Sequence, residues 1–147
     1  MSADHPTPGI LLVEDDQMDV MNVQRELRRQ NINVPLVHAK NGREALKMLR
    51  GEGGESKIAR PNVVMLDINM PRMNGLELLE TLRSDPEFVG LNVFIMTTSD
   101  LESDRLKAQA LAVSGYIIKP LNFDTFGEGG SNVDGFSLFL DLLKLKE

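Results

Sequence analysis

Two kinds of hydrophobic pattern alternate along the chain from residue 10 onward. Short, continuous apolar runs are typical of strands that are buried on both faces of a parallel sheet. These runs lie at residues 10–13, 35–39, 63–66, 93–96 and 115–118. In the intervals, apolar residues recur every three or four positions, as they do on one face of an amphipathic helix. The pattern therefore predicts five strands that alternate with helices.

The first four intervals each contain a small set of apolar residues at helical spacing. These sets are Val20, Val23 and Leu27, then Ala45, Leu46 and Leu49, then Leu78, Leu79 and Leu82, and finally Leu106, Ala110 and Val113. We expect Asp16 to cap the first helix, and Ser99 and Glu102 have the spacing of a capping box for the fourth. Because neighbouring parallel strands need a crossover connection, this alternation predicts a doubly wound α/β fold with helices on both faces.

The remaining segments define the predicted boundaries. Residues 1–8 are interpreted as a flexible N-terminal tail and residues 9–147 as a single domain, with the fifth helix region at 122–147. The glycine-bearing stretch 51–56 follows a helix rather than a strand, so we interpret it as a connector and not as a phosphate-binding loop.

Glycines at four positions between 127 and 135 leave two alternatives for the C-terminal region. Each glycine costs about 1 kcal/mol in a helix interior. One alternative is a long, glycine-weakened helix from about Asn122, and the other is a short turn, a loop and a separate helix from Phe136.

The C-terminal region also carries two apolar stripes. The first consists of Phe136, Phe139, Leu140 and Leu143, and the second of Leu138, Leu142 and Leu145. One stripe is enough to pack against a core, and a helix that is apolar nearly all round is seldom left in water. We therefore hypothesise that this region extends into a homodimer interface.

Composition and charge exclude several classes of function. The 147 residues include 16 basic and 22 acidic side chains, a net charge of −6 that argues against a nucleic-acid partner. The lack of cysteine excludes disulfides and thiolate-ligated metals, and only His5 and His38 could supply imidazole ligands. No apolar run approaches ~18 residues, so we expect a cytoplasmic protein.

Polar residues that could bind a metal ion or take part in catalysis follow the predicted strands. Glu14 and Asp15 follow the first strand, Asp67 the third, Thr97 the fourth and Lys119 the fifth. The carboxyl ends of parallel strands meet at one edge of a sheet, where clustered carboxylates repel each other unless a hard cation neutralises them. A carboxylate there can attack phosphorus, while an ammonium and a hydroxyl stabilise the phosphoryl oxygens.

Four segments of the chain carry a family resemblance. They are residues 11–16 (LLVEDD), 65–75 (MLDINMPRMNG), 95–99 (IMTTS) and 116–120 (YIIKP). In this order, and over about residues 9–121, the chain resembles the receiver domains of bacterial two-component response regulators. The resemblance implies a flavodoxin-like, doubly wound five-stranded parallel sheet with strand order 2-1-3-4-5 and five helices.

The resemblance also implies an aspartyl phosphate and a metal site. Asp67 corresponds to the phospho-acceptor. Glu14, Asp15 and Asp67, together with the main-chain carbonyl of Asn69, correspond to the ligands of Mg²⁺, for which Mn²⁺ could substitute.

Three further roles follow from the same resemblance. Thr97 corresponds to a hydroxyl that moves toward the phosphoryl group, Lys119 to the paired ammonium, and Tyr116 to an aromatic switch residue. The peptide bond between Lys119 and Pro120 is expected to be cis.

The implied function is phosphoryl acceptance from a histidine kinase or phosphotransfer protein, followed by signalling through protein contacts. Catalysis is limited to the chain's own Mg²⁺-dependent phosphorylation and dephosphorylation. The run 97–99, the glycine-bearing insertion and the apolar C-terminus are similar to single-domain regulators of bacterial phytochrome-type kinases. A homodimer would form through the fourth helix, fifth strand and fifth helix together with the C-terminal helix.

Two alternatives stay open. A haloacid-dehalogenase-type aspartyl-phosphate hydrolase would use Asp67 and Asn69 in an Asp-x-Asp motif, although Asn cannot act as the second acid or base and the length leaves no room for a cap domain. The other alternative is a pseudo-receiver that binds partners without phosphorylation.

Overall fold

The computed structural model describes residues 9–54, 57–70, 75–98, 102–122 and 135–144, in which five strands alternate with five helices. The strands are β1 (Ile10–Val13), β2 (Leu36–Ala39), β3 (Val63–Asp67), β4 (Val93–Thr97) and β5 (Gly115–Ile118). The helices are α1 (Gln17–Arg29), α2 (Gly42–Arg50), α3 (Gly75–Ser84), α4 (Glu102–Ala110) and α5 (Gly135–Lys144). The predicted alternation is confirmed.

The strands form one parallel sheet with the order β2-β1-β3-β4-β5, as the resemblance implies. The order reverses at β1, whose neighbours on the two sides are β2 and β3. The register pairs Val13 with Leu66 and Asp67 with Met96, so the carboxyl ends of β1, β3 and β4 lie side by side. The residues that follow these strands therefore meet at one edge, where ligands bind in doubly wound sheets.

Two hydrophobic clusters cover the two faces of the sheet. Alternate residues of each strand point to opposite faces, so Leu11 and Val13 of β1 pack in the cluster with α2, α3 and α4. Ile10 and Leu12 pack in the other cluster, with α1 and α5. The ring of Phe139 in α5 meets that of Phe94 in β4 edge-on, with centroids 5.4 Å apart. Burial on both faces explains why the strands are continuous apolar runs rather than alternating patterns.

The predicted inner faces of α1, α2 and α3 are confirmed, because all nine of the apolar residues assigned to them are buried. The prediction for α4 is wrong at two of its three positions, whereas Val113, just after the helix, is partly buried against the core as predicted. Leu106 is 56% exposed and Ala110 is also exposed, whereas Ala108 is buried and Leu111 packs beside it. Each residue turns a helix by about 100°, so Leu106 and Ala110, two positions from Ala108, point away from the face that Ala108 buries.

Helix caps set where α1 and α2 begin and where α2 ends. Asp16 caps α1 as predicted, with its carboxylate accepting the backbone N–H of Met18 at 2.9 Å. Asn41 caps α2 in the same way, and Gly51 ends that helix with a left-handed φ of 73°. Residues 51–54 are exposed and form turns, which agrees with their assignment as a connector. Ser99 of the expected capping box lies outside the described residues.

The C-terminal helix α5 is described over Gly135–Lys144. Phe139 and Leu143 from the first stripe are buried, and Leu138 from the second is 41% exposed. Residues 123–134, which distinguish the two alternatives for this region, lie outside the described residues, as does the predicted tail at 1–8. The peptide bond before Pro120 is cis, as expected. Among the described helices, none combines the length and apolar character needed to cross a membrane.

Gly75 generates a prediction about the packing of α3 beneath β3. A Cβ at this position would lie 2.7 Å from the Cα of Ile68 and would also overlap the main-chain carbonyl of Asp67. Backbone cannot move aside as a flexible side chain can, so Gly75→Ala should lower the free energy of unfolding by about 1–3 kcal/mol. Urea denaturation measures this change.

The matched control is Gly90→Ala. A Cβ at Gly90 would meet only the guanidinium end of Arg60, at 3.3 Å. We expect its effect to stay within about 0.5 kcal/mol. Equal urea midpoints for the two variants would contradict the close approach of α3 to the end of β3.

Candidate functional site

Three carboxylates converge at the carboxyl edge of the sheet. Glu14 and Asp15 follow β1, and Asp67 ends the neighbouring strand β3. One oxygen from each lies within 4.8 Å of the others, and Glu14 and Asp67 are buried while Asp15 is exposed. The strand register thus brings together the acidic residues that the sequence placed at two separate strand ends.

Lys119 enters this cluster from the end of β5. Its Nζ atom lies 2.8 Å from Oε1 of Glu14, 2.8 Å from Oδ2 of Asp19 and 3.1 Å from Oδ2 of Asp67. The lysine side chain is 9% exposed. A single, nearly buried ammonium therefore contacts three carboxylates on α1 and at the ends of β1 and β3.

The charges in this site shift two pKa values. Burial raises the pKa of Glu14 to about 7; the contact with Lys119 offsets only part of this, and repulsion from Asp67 adds to it. Burial by itself lowers the pKa of Lys119, but its contacts with the carboxylates of Asp19, Glu14 and Asp67 raise it overall. The ammonium accordingly stays charged at neutral pH.

Asn69 connects Asp67 to Thr97. The backbone N–H of Asn69 donates to Oδ1 of Asp67 at 3.0 Å, and its Nδ2 donates to Oγ1 of Thr97 at 2.9 Å. Thr97 ends β4 and is fully buried. The hydroxyl and the carboxylate that the sequence assigned to the site are therefore held through one intervening residue.

Tyr116 lies in β5 and is half-buried against the cluster on the α4 face of the sheet. The guanidinium carbon of Arg105, in α4, lies 4.6 Å from the centroid of its ring. This distance is typical of a cation–π contact. The tyrosine thus joins β5 to α4, and its role as a switch stays a prediction.

Sequence reasoning missed two side chains that support the site. Asp19 lies in the first turn of α1 and contacts Lys119; the predicted start of this helix at the sheet edge was a signal that could have found it. His38 in β2 donates from Nε2 to the main-chain carbonyl of Glu14 at 2.7 Å. Nothing in the sequence pattern around His38 indicates that contact.

The donor set fits a hard divalent cation. Glu14, Asp15 and Asp67 offer carboxylate oxygens, which Mg²⁺, Mn²⁺ and Ca²⁺ prefer. These three carboxylates and that of Asp19 make four, and among the described residues Lys119 is the cation that contacts three of them. A bound cation would offset this excess of negative charge, so the cluster could hold a divalent metal ion.

Comparison with known proteins gives a consistent result. The family model described as "Response regulator receiver domain" matches residues 10–128. Response regulator Rcp1 of Synechocystis sp. is 31% identical over 134 residues, covering 91% of this chain and 91% of Rcp1. The range matched by the family model includes all the site residues named above.

Solved structures resemble the chain over nearly its whole length. A two-component response regulator from Legionella pneumophila has a TM-score of 0.77 and 35% identity, covering 94% of this chain and 99% of that one. The bacteriophytochrome response regulator AtBRR has a TM-score of 0.75 and 28% identity, covering 94% and 93%. The Mn²⁺-bound form of Rcp1 has a TM-score of 0.71 and 29% identity, covering 95% and 91%.

The acidic cluster generates a prediction about metal binding. A divalent cation that binds only the folded chain stabilises it by about 1.4 kcal/mol at ten times its Kd. For a chain of this size, that corresponds to a rise in Tm of roughly 3–6 °C, measured by scanning calorimetry with MgCl₂ or MnCl₂. Asp15→Asn should remove most of this rise, because it removes one of the three carboxylates.

Asp16→Asn is the control for that measurement. Asparagine also caps helices well, so this variant removes a neighbouring charge while keeping the start of α1. We expect it to keep the metal-dependent rise in Tm. An equal loss in both variants would mean that the cation responds to the general negative charge and not to the cluster.

Proposed function

The chain belongs to the response regulator receiver family and is a phospho-accepting regulator of two-component signalling, and from this premise we propose that Asp67 accepts the phosphoryl group. The observation that carries the proposal is the pairing of buried Asp67 with the Lys119 ammonium at 3.1 Å, at the carboxyl edge of the sheet. The family match favours this reading over the aspartyl-phosphate hydrolase. The intact set of polar groups favours it over the pseudo-receiver.

The proposed reaction is a phosphoryl transfer from a phosphohistidine. An oxygen of Asp67 forms a bond to phosphorus while the bond from phosphorus to the histidine nitrogen breaks, and that electron pair leaves with the imidazole. The product is an acyl phosphate, which water later hydrolyses to aspartate and phosphate. We propose that the chain catalyses no reaction beyond these two.

Lys119 and Thr97 act on the phosphoryl oxygens. The ammonium of Lys119 already contacts Oδ2 of Asp67, so it lies beside the position where negative charge is added. The hydroxyl of Thr97 is linked to the carboxylate of Asp67 by the two hydrogen bonds that Asn69 donates. A shift of Thr97 toward the phosphoryl group would change the packing beside β5, where Tyr116 carries the signal to the surface.

We propose Mg²⁺ as the physiological cation, with Mn²⁺ as a substitute. Glu14, Asp15, Asp67 and the main-chain carbonyl of Asn69 are the residues that would hold it. When bound, the cation supplies positive charge against the phosphoryl oxygens and the clustered carboxylates. The donor set of the cluster and the Mn²⁺-bound form of Rcp1 support this assignment.

Receiver domains partner with histidine kinases, and we propose a phytochrome-type kinase, directly or through a phosphotransfer protein, as the phosphoryl donor. The likeness to the bacteriophytochrome response regulator AtBRR over 94% of the chain supports this choice. The net charge of −6 supports an output through protein contacts and not through nucleic acid.

We also propose a homodimer formed by α4, β5 and α5. Among the side chains that the structure describes, Leu106 of α4, Ile118 of β5 and Leu138 of α5 are large, apolar and exposed. Exposed apolar groups at an interface are stabilised by removal from water. Leu142 of the second stripe packs partly against the core, and Leu138 of the same stripe is exposed beside it.

Phosphorylation at Asp67 is tested with acetyl phosphate and MgCl₂. The intact protein should gain one phosphoryl group by mass spectrometry, and Asp67→Asn should gain none, because an amide is not a nucleophile toward phosphorus. Asp16→Asn serves as the control and should be modified like the unaltered chain. Modification of Asp67→Asn to the same extent would place the acceptor elsewhere, and no modification of the unaltered chain would support the pseudo-receiver.

The dimer is tested by sedimentation equilibrium at micromolar concentration. The unaltered chain should have the mass of two copies, and Leu138→Glu should have the mass of one, because it places a charge in the proposed interface. Val89→Glu is the control, since Val89 is 49% exposed but lies between α3 and β4. A one-copy mass for the unaltered chain, with and without beryllofluoride, would overturn this proposal.

A further inference from the structure

Among the residues that the structure describes, Asp19 is the partner of Lys119 that does not belong to the carboxylate cluster of Glu14, Asp15 and Asp67. It lies in the first turn of α1, and its Oδ2 is 2.8 Å from Nζ of Lys119, closer than the 3.1 Å contact from Asp67. The following inference rests on the proposed phosphorylation of Asp67 and concerns how the lysine is positioned for it.

The contact with Asp19 affects how the Lys119 ammonium is directed at Asp67. An ammonium carries three N–H donors, and three carboxylate oxygens, from Glu14, Asp19 and Asp67, lie within hydrogen-bond distance of Nζ. Two of them donate hydrogen bonds, to Oδ2 of Asp19 and to Oδ2 of Asp67, whereas the 2.8 Å contact with Oε1 of Glu14 is an ion pair without hydrogen-bond geometry. The donors of one ammonium have a fixed geometry, so the direction of the donor on Asp67 depends on the hydrogen bond to Asp19.

The contact with Asp67 changes during the reaction, whereas the contact with Asp19 does not have to. Once an Asp67 oxygen is bonded to phosphorus it loses its negative charge, and the nearby negative charge is then carried by the phosphoryl oxygens. Glu14 belongs to the cluster whose charge a divalent cation would offset. Asp19 stands outside both changes and can hold the ammonium throughout.

A second contact holds α1 against the same segment. Asn22, one turn after Asp19 on the same face of the helix, donates from Nδ2 to the main-chain carbonyl of Leu121 at 3.1 Å. The helix thus contacts both sides of Pro120, through the side chain of Lys119 and the carbonyl of Leu121. The contact of Asn22 with Leu121 accordingly fixes the first turns of α1, and with them Asp19, beside the segment that follows β5.

We propose that Asp19 is a positioning residue that holds the Lys119 ammonium in line with the phosphoryl-accepting oxygen of Asp67. Asp19 acts through Lys119 and does not contact the phosphoryl group. Its loss leaves the ammonium free to turn toward Glu14 or water. Phosphorylation would then slow because the charge is no longer placed where the transferred group arrives.

The kinetic test uses Asp19→Asn, which removes the charge and keeps the shape. With acetyl phosphate and saturating MgCl₂, the rate constant for phosphorylation should fall by about three- to tenfold, as expected when the carboxylate acceptor of a hydrogen bond is replaced by a neutral amide oxygen. Asp19→Glu should restore most of the rate, since it returns a carboxylate. Asp16→Asn removes a charge from the same turn without touching Lys119 and should react like the unaltered chain.

A spectroscopic test needs neither metal nor phosphoryl donor. In ¹⁵N-labelled protein, an ammonium held by three carboxylates exchanges its protons slowly and gives a distinct side-chain NMR signal, which Lys119→Arg assigns by its disappearance. This signal should be present in the unaltered chain, Asp16→Asn and Asp19→Glu. It should broaden or vanish in Asp19→Asn, while urea midpoints show that the variant is folded.

The possible outcomes separate the inference from the function on which it rests. An unchanged or faster phosphorylation of Asp19→Asn would overturn the positioning role, and so would a slower rate with an intact Lys119 signal. Failure of acetyl phosphate to modify the unaltered chain would instead overturn the phosphorylation of Asp67. The Lys119 signal would still decide whether Asp19 positions the ammonium.

Discussion

The ion contacts of Lys119 are the interaction on which the site depends. Glu14 and Asp67 are buried carboxylates, and leaving one buried charge without its partner costs about 3–5 kcal/mol. Lys119 contacts both of them and Asp19 as well, so one ammonium links the ends of three strands to the first turn of α1. The same contacts that offset the cost of burying Glu14 and Asp67 also place a positive charge beside the proposed phosphoryl acceptor.

The fold brings these groups together through strand register and not through sequence proximity. Val13 pairs with Leu66, so the residues that follow β1 arrive beside the end of β3. Below the site, Gly75 of α3 has no side chain, which lets the helix lie directly against the backbone of Asp67 and Ile68. The rigid edge of the sheet keeps the carboxylates of Glu14 and Asp67 close together although they repel each other.

Particular residues show how far sequence reasoning reached. The strand-end residues Glu14, Asp67 and Lys119 were predictable because parallel strands deliver their carboxyl ends to one edge whatever their side chains are. The inner face of α4 was predicted wrongly, since its one buried residue, Ala108, is too small to stand out in a hydrophobic pattern. Leu106 stood out instead, and a periodic pattern cannot tell a core face from an exposed one on a helix with so few apolar residues.

The sequence by itself determined the alternation of elements, the fold class and the types of group at the strand ends, because these follow from local periodicity and from chain order. Only the tertiary structure decided which atoms share the Lys119 ammonium and that Asn69 joins Asp67 to Thr97. Such contacts depend on where a helix axis and a side-chain rotamer lie to within about an ångström. Asp19 illustrates the difference, since its charge was visible in the sequence but its partner, a hundred residues away along the chain, was set by packing.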